Sequence, residues 1–104
     1  MILYEVTLDA EPAVAPAVEE HMRRKHIPAI LASACFRRIR FAQASSTRFR
    51  TSYEAESQAD LDRYLREYAP ALRAEFQAEF AAGVTVTREI WIEREVWESG
   101  SGTP

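Results

Sequence analysis

Hydrophobic and polar residues alternate at the start of the chain, and the period of this pattern then changes several times. An apolar residue stands at every second position from Ile2 to Leu8, which predicts a half-buried strand. A helical period follows, then two more alternating runs, a second helical stretch and a last alternating run. The predicted strands cover about 1–8, 35–42, 48–55 and 84–97.

This order is typical of the split βαβ arrangement, so the sequence predicts an α+β, ferredoxin-like βαββαβ sandwich. The expected sheet is four-stranded and antiparallel, with the order 4-1-3-2 and both helices on one face.

The first helix is expected to begin near residues 13–15, because Pro16 suits a first turn, and to end at about His26. Pro28 disfavours the α conformation of the residue before it, so a bend is predicted there. Residues 30–31 would then form a short apolar turn leading to the second strand.

The second helix is expected to begin after Glu56. Ser57 is a good N-cap, and Asp60 three residues later resembles a capping box. Pro70 should kink this helix or restart it in a new first turn. Gly83 is expected to end the helical region as a left-handed cap.

Length and charge limit the class of protein. The chain has 104 residues, 13 of them basic and 16 acidic, and a net charge of −3. This length fits one domain, predicted over 1–97, with 98–104 as a flexible tail that lacks an apolar anchor. The acidic balance argues against a nucleic-acid partner. No secretion signal or membrane-length apolar run is present, so we expect a bacterial-type cytoplasmic protein without a membrane partner.

Two helices can cover only one face of a four-stranded sheet. The other face would carry arginines on strands 2 and 3 and carboxylates mainly on strands 1 and 4, with Glu5 able to reach Arg50. Such a face can be solvated, but apolar residues among its charges favour a homodimer packed sheet to sheet. The candidate dimer residues are Leu3, Glu5, Arg38, Arg40, Arg48, Arg50, Glu89, Trp91 and Glu93.

Few residues carry a recognisable chemistry. His21 and His26 are five positions apart, about 140° around a helix, and so do not form the i, i+4 pair of a zinc helix. The single cysteine, Cys35, is expected to open a strand as an inert, half-buried thiol, and it permits no internal disulfide. With no glycine-rich phosphate loop either, we predict no metal and no cofactor.

Any ligand is expected between the helices and the sheet. Two interpretations stay open for each histidine: His21 is an interior residue or a proton-transfer group, and His26 stabilises the helix end or faces a pocket. The candidate pocket residues are His26, His21, Tyr53, Tyr64, Tyr68 and Arg73.

Several stretches resemble a bacterial family named domain of unknown function 4286. They are the first strand (1–7), the His-Ile-Pro segment (26–28) with Leu31 and Phe36, and the second helix with Tyr64-Leu65, the Ala-Pro-Ala-Leu-Arg segment (69–73) and Phe80. The sequence departs from the family where helix 1 lacks a tryptophan and where Ala34 replaces a common glycine. The resemblance implies a ferredoxin-like domain of the dimeric α/β-barrel type, and it implies no known activity.

Three functional hypotheses follow. The first is a non-catalytic homodimer that binds a small ligand or a partner. The second is a cofactor-free enzyme of monooxygenase or dehydratase type, with His26 or His21 as the proton shuttle. The third is a regulatory module that pairs with the sheet edge of another protein.

Overall fold

A four-stranded antiparallel sheet forms the centre of the molecule in the computed structural model, which describes residues 1–100. The strands are β1 (Ile2–Ala10), β2 (Arg38–Ser45), β3 (Arg48–Ala55) and β4 (Val84–Ile92). Their order is β2-β3-β1-β4, which confirms the predicted ferredoxin-like sandwich and its strand order 4-1-3-2. Residues 101–104 of the predicted tail lie outside the described residues.

The first helical region is longer than predicted. It consists of α1 (Ala15–His21), a π-helical turn (Met22–His26) and α2 (Ile27–Ala32) without a break. The predicted bend at Pro28 and the turn at 30–31 are therefore wrong. In the π turn the Ile27 amide donates to the Met22 carbonyl, five residues back, and this wider turn accommodates a proline ring that would clash in a regular helix.

The second helical region follows the prediction more closely. It consists of α3 (Gln58–Glu67) and α4 (Ala69–Glu79), so the helix restarts with Pro70 in a new first turn. The Asp60 amide donates to Ser57 Oγ at 3.1 Å, and the Ser57 hydroxyl donates to the Asp60 carboxylate at 3.1 Å. This is the predicted N-cap.

Gly83 does not cap the helix, because α4 ends at Glu79. Its φ of 87° is left-handed, and its carbonyl accepts a hydrogen bond from the Glu11 amide at 2.8 Å. Gly83 therefore turns the chain into β4 instead of ending the helix.

Two strand boundaries also differ from the prediction. β2 begins at Arg38 and not at Cys35, whose amide donates to Ser33 Oγ in the preceding loop and whose side chain is fully buried. β4 ends at Ile92 and not at Trp97. It pairs with β1, where Ile2 lies opposite Ile92, and the pairing ends with the Glu93 amide, which donates to the Met1 carbonyl at 3.0 Å.

The core lies between the inner face of the sheet and the helices. Alternate residues of β1 and β3 are buried there, as the two-residue period predicts. Side chains buried almost completely are Tyr53, Phe49, Met22, Ile30, Leu61, Val18 and Thr51. Within residues 1–100, no helix has the length and apolar character needed to cross a bilayer.

Candidate functional site

A cavity of about 500 Å³ lies between the inner face of the sheet and the helices. Its walls come from every structural layer: β1, β3 and β4 on the sheet side, and the π turn, α2, α3 and α4 on the helix side. Most of the wall is apolar or aromatic, as in typical small-molecule sites. The apolar lining residues are Val6, Leu8, Met22, Ile30, Phe76, Phe80, Ala81, Val84 and Val86.

The polar part of the wall contains three tyrosines, two arginines, one histidine and one glutamine. Arg73 Nη2 donates to the Tyr4 hydroxyl at 3.0 Å, which ties α4 to the centre of the sheet. The polar lining residues are Tyr4, His26, Tyr53, Tyr64, Arg73, Gln77 and Arg88.

The tyrosines form an aromatic cluster at one side of the cavity. The Tyr4 ring centroid lies 5.8 Å from that of Tyr53 and 6.1 Å from that of Tyr64, and Phe36 packs against both of these partners. Burial raises the pKa of Tyr53 and of Tyr64 well above the usual value. Both phenols are therefore neutral at pH 7 and can donate or accept hydrogen bonds.

His26 ends the π turn and lines the cavity. Its ring centroid lies 5.6 Å from that of Phe76 and 6.0 Å from that of His21. Burial is the main reason that the pKa of His26 is lowered from 6.5 to about 4; the charges of His21 and Arg88 act in the same direction, and Glu75 opposes them. The imidazole is therefore neutral at pH 7. Its buried Nδ1 has no hydrogen-bond partner among the described residues.

His21 lies behind the cavity wall and does not line it. Its ring is buried and packs edge-on against Phe76 at 5.8 Å and Phe80 at 5.4 Å, between centroids. Tyr68 also stays outside the cavity and stacks on Tyr64 at 6.4 Å. The structure thus brings together four of the six candidate pocket residues, His26, Tyr53, Tyr64 and Arg73.

Sequence reasoning missed three polar wall residues, Tyr4, Gln77 and Arg88. The sequence pattern could have identified Arg88, because it is the one charged residue at the inward-facing positions of β4, between Val86 and Ile90. Tyr4 likewise interrupts the aliphatic inner face of β1. A polar side chain at an inward strand position is thus a useful indicator of a cavity wall.

The outer face of the sheet carries the predicted mosaic of charges. Its best buried charge is Glu54, whose carboxylate is 2.6 Å from Arg40 Nη1 and 3.9 Å from Arg38 Nη1. The expected pair of Glu5 with Arg50 does not occur within the described residues. Glu5 lies opposite Ser52, and its carboxylate accepts a hydrogen bond from the Ser52 hydroxyl at 3.3 Å.

Arg50 lies opposite Thr7 on one side and Ala42 on the other. The Val6–Thr51 pair therefore lies between Arg50 and the Glu5–Ser52 pair. A shallow cavity of about 440 Å³ lies on this face beside Trp91, which is 51% exposed.

Comparison with solved structures shows the fold. A monooxygenase from the gene ActVA-Orf6 of Streptomyces coelicolor, in complex with the ligand nanaomycin D, has a TM-score of 0.71 at 15% identity, over 95% of this chain and 92% of that one. SnoaB, a cofactor-independent oxygenase from Streptomyces nogalater, has a TM-score of 0.64 at 13% identity, over 91% and 94%. A dimeric ferredoxin-like protein from an uncultured marine organism has a TM-score of 0.66 at 12% identity, over 94% and 99%.

Similarity in sequence, unlike similarity in fold, identifies a protein family. No curated protein matches this chain in sequence. The family model described as Domain of unknown function (DUF4286) matches residues 1–93, and the chain belongs to this family.

Proposed function

We propose that this protein binds a small, flat, largely apolar molecule in the cavity between the helices and the sheet. The observation that carries this proposal is the cavity itself, about 500 Å³ of space walled by nine apolar residues and seven polar ones, three of them tyrosines. Ligand pockets commonly have volumes of about 300–1,000 Å³ and this composition. The Streptomyces coelicolor relative in fold, which is in complex with the ligand nanaomycin D, supports the binding of a small molecule.

A fragment screen by NMR on the whole chain would test the proposal. The cavity wall offers a matched pair of variants: Ala81 and its neighbour Ala82 are both exposed, but only Ala81 lines the cavity. Ala81→Phe should abolish or weaken the binding of aromatic fragments found with the unaltered protein, because the new ring occupies the cavity. Ala82→Phe should leave binding unchanged.

Two results would count against cavity binding. One is the absence of any fragment that binds at millimolar concentration. The other is equal binding by the Ala81→Phe and Ala82→Phe variants, which would place the fragments elsewhere.

A second candidate function is a cofactor-free enzyme in which His26 removes a proton from the bound molecule. Its support is the neutral imidazole in the cavity wall, where burial lowers the pKa of His26 to about 4. With Nδ1 buried, Nε2 is the ring nitrogen available to a ligand. The guanidinium groups of Arg73 and Arg88 line the same cavity and can stabilise the negative charge that deprotonation creates.

Hydrogen exchange at an acidic C–H group would distinguish the enzyme from a simple binder. A bound fragment with such a group should lose its C–H signal in D₂O faster with the unaltered protein than with His26→Gln, at equal fractional saturation. Proton removal by one positioned base is commonly worth about 10²–10⁴-fold in rate. An identical exchange rate with both proteins would leave ligand binding alone as the function.

We also propose that two copies pack outer face to outer face. A twofold axis parallel to the strands would set β2 and β3 of one copy over β4 and β1 of the other. The arginines at 38, 40, 48 and 50 would then approach the partner's carboxylates, and the half-exposed Trp91 ring would be covered. The dimeric ferredoxin-like protein of the same fold supports self-association.

Light scattering on a size-exclusion column tests the dimer. The unaltered protein should have twice the 11.9 kDa mass of one chain at micromolar concentration. Trp91→Glu should give the monomer mass, whereas Leu31→Glu, at a similarly exposed apolar residue of α2, should not. A monomer for the unaltered protein, or a dimer that survives Trp91→Glu, would contradict the proposal.

A further inference from the structure

The permanently charged side chains of the cavity wall are all positive. Arg73 from α4 and Arg88 from β4 both line it, and no aspartate or glutamate does so among the residues that form its wall. The other titratable groups of the wall are neutral at pH 7 where their state is resolved: burial raises the pKa of Tyr53 and Tyr64, and lowers that of His26.

Neither arginine finds a carboxylate partner within residues 1–100. Arg73 donates to the neutral phenol of Tyr4 at 3.0 Å, and no ion pair or hydrogen bond is formed by the Arg88 side chain there. Two arginines on the outer face of the sheet, by contrast, have carboxylate partners. Arg40 lies 2.6 Å from the Glu54 carboxylate and Arg48 lies 3.3 Å from that of Asp9.

Arg88 lies on the inward-facing side of β4, opposite Val6 of β1, and lines the cavity while its side chain stays exposed to solvent. Its charge also acts on the pKa values of His26, Tyr53 and Tyr64, although burial is the largest influence on each. Arg73 acts in the same way on Tyr64. The two positive charges therefore come from opposite layers of the sandwich onto the same cluster of rings.

We infer that the ligand carries one carboxylate on a flat apolar ring system, with the carboxylate held between Arg73 and Arg88 and the rings packed against the aromatic wall. A planar guanidinium binds a carboxylate through two parallel hydrogen bonds, and the absence of competing carboxylates in the wall leaves this capacity free for a ligand. This assignment of ligand class rests on the proposed binding of a small molecule in the cavity.

Calorimetric titration with matched pairs of probes tests the ligand class. Benzoate, 2-naphthoate and 9-anthracenecarboxylate are each compared with the corresponding primary amide, which has nearly the same shape and no charge. The best-fitting carboxylate should bind at least about tenfold more tightly than its amide, as expected for a charge-assisted hydrogen bond to a guanidinium. Arg88→Gln and Arg73→Gln should each weaken carboxylate binding more than amide binding and so remove most of this preference.

Arg66→Gln is the control, because Arg66 lies on α3 outside the cavity wall and should leave the preference intact. Equal binding of carboxylate and amide would overturn the ligand class but keep the cavity as a binding site. A preference that survives both Arg88→Gln and Arg73→Gln would place the carboxylate elsewhere and overturn the assignment. If no acid or amide binds at millimolar concentration, the proposed function fails, and the ligand class fails with it.

Discussion

Because the partly buried His26 ring binds a proton weakly, the unfolding free energy should depend on pH between about 4 and 6.5. The folded protein holds His26 in its neutral form, with a pKa lowered from 6.5 to about 4, mainly because the ring is buried. The unfolded chain keeps the ordinary value, so the stabilising effect is complete above pH 6.5 and is lost as the pH falls through about 4. Since one pKa unit corresponds to about 1.4 kcal/mol, the loss is at most about 3.5 kcal/mol, and partial exposure of the ring reduces it to about 2 kcal/mol.

Urea unfolding at pH 7 and at pH 4 would measure this effect, with His26→Gln as the comparison. The variant has no proton to bind at this position. Between pH 7 and pH 4 the unaltered protein should therefore lose about 2 kcal/mol more unfolding free energy than the variant.

NMR gives an independent measurement, because the chain contains two histidines and His21→Gln assigns their signals. A titration midpoint of His26 at pH 6 or above, or a stability difference that does not change with pH, would refute the burial argument.

Three further predictions concern backbone conformation and capping. Ala34 has a left-handed φ of 59°, so Ala34→Gly should raise the unfolding free energy by about 1 kcal/mol in urea. Gly83→Ala should lower it by about 1–2 kcal/mol by the same measurement, since φ is 87° and the new Cβ would lie 3.3 Å from Glu11 Oε2; an unchanged midpoint in either variant would contradict the strain argument. Ser57→Ala should cost about 1 kcal/mol through loss of the cap on the Asp60 amide, and Ser57→Asp, which keeps an acceptor, should restore it.

Local chemistry was enough to predict many elements. The two-residue period identified the inward face of β1, and the Ser57 cap and Pro70 marked where α3 and α4 begin, because each depends on residues near in sequence. Ala34 has a left-handed φ of 59°, a conformation that glycine adopts more readily than alanine.

Predictions failed where a distant partner or a rare backbone geometry decides the outcome. Pro28 by itself indicates a bend, yet the π turn before it lets the helix continue to Ala32. The end of β4 depends on where β1 begins, and no local pattern in residues 93–97 contains that information.

The same distinction applies to the candidate site. The sequence by itself determined the order of strands and helices along the chain, from which the strand order of the sheet was predicted. It also determined the inward side of each strand and four side chains that reach the cavity, since periodicity is a local property. Only the tertiary structure decided that Arg88 and Arg73, fifteen positions apart in sequence, line one cavity without a carboxylate, and that His26 lies among aromatic rings. The physical reason is that burial and charge at a site are sums over neighbours from several elements, and these sums exist only after the chain has folded.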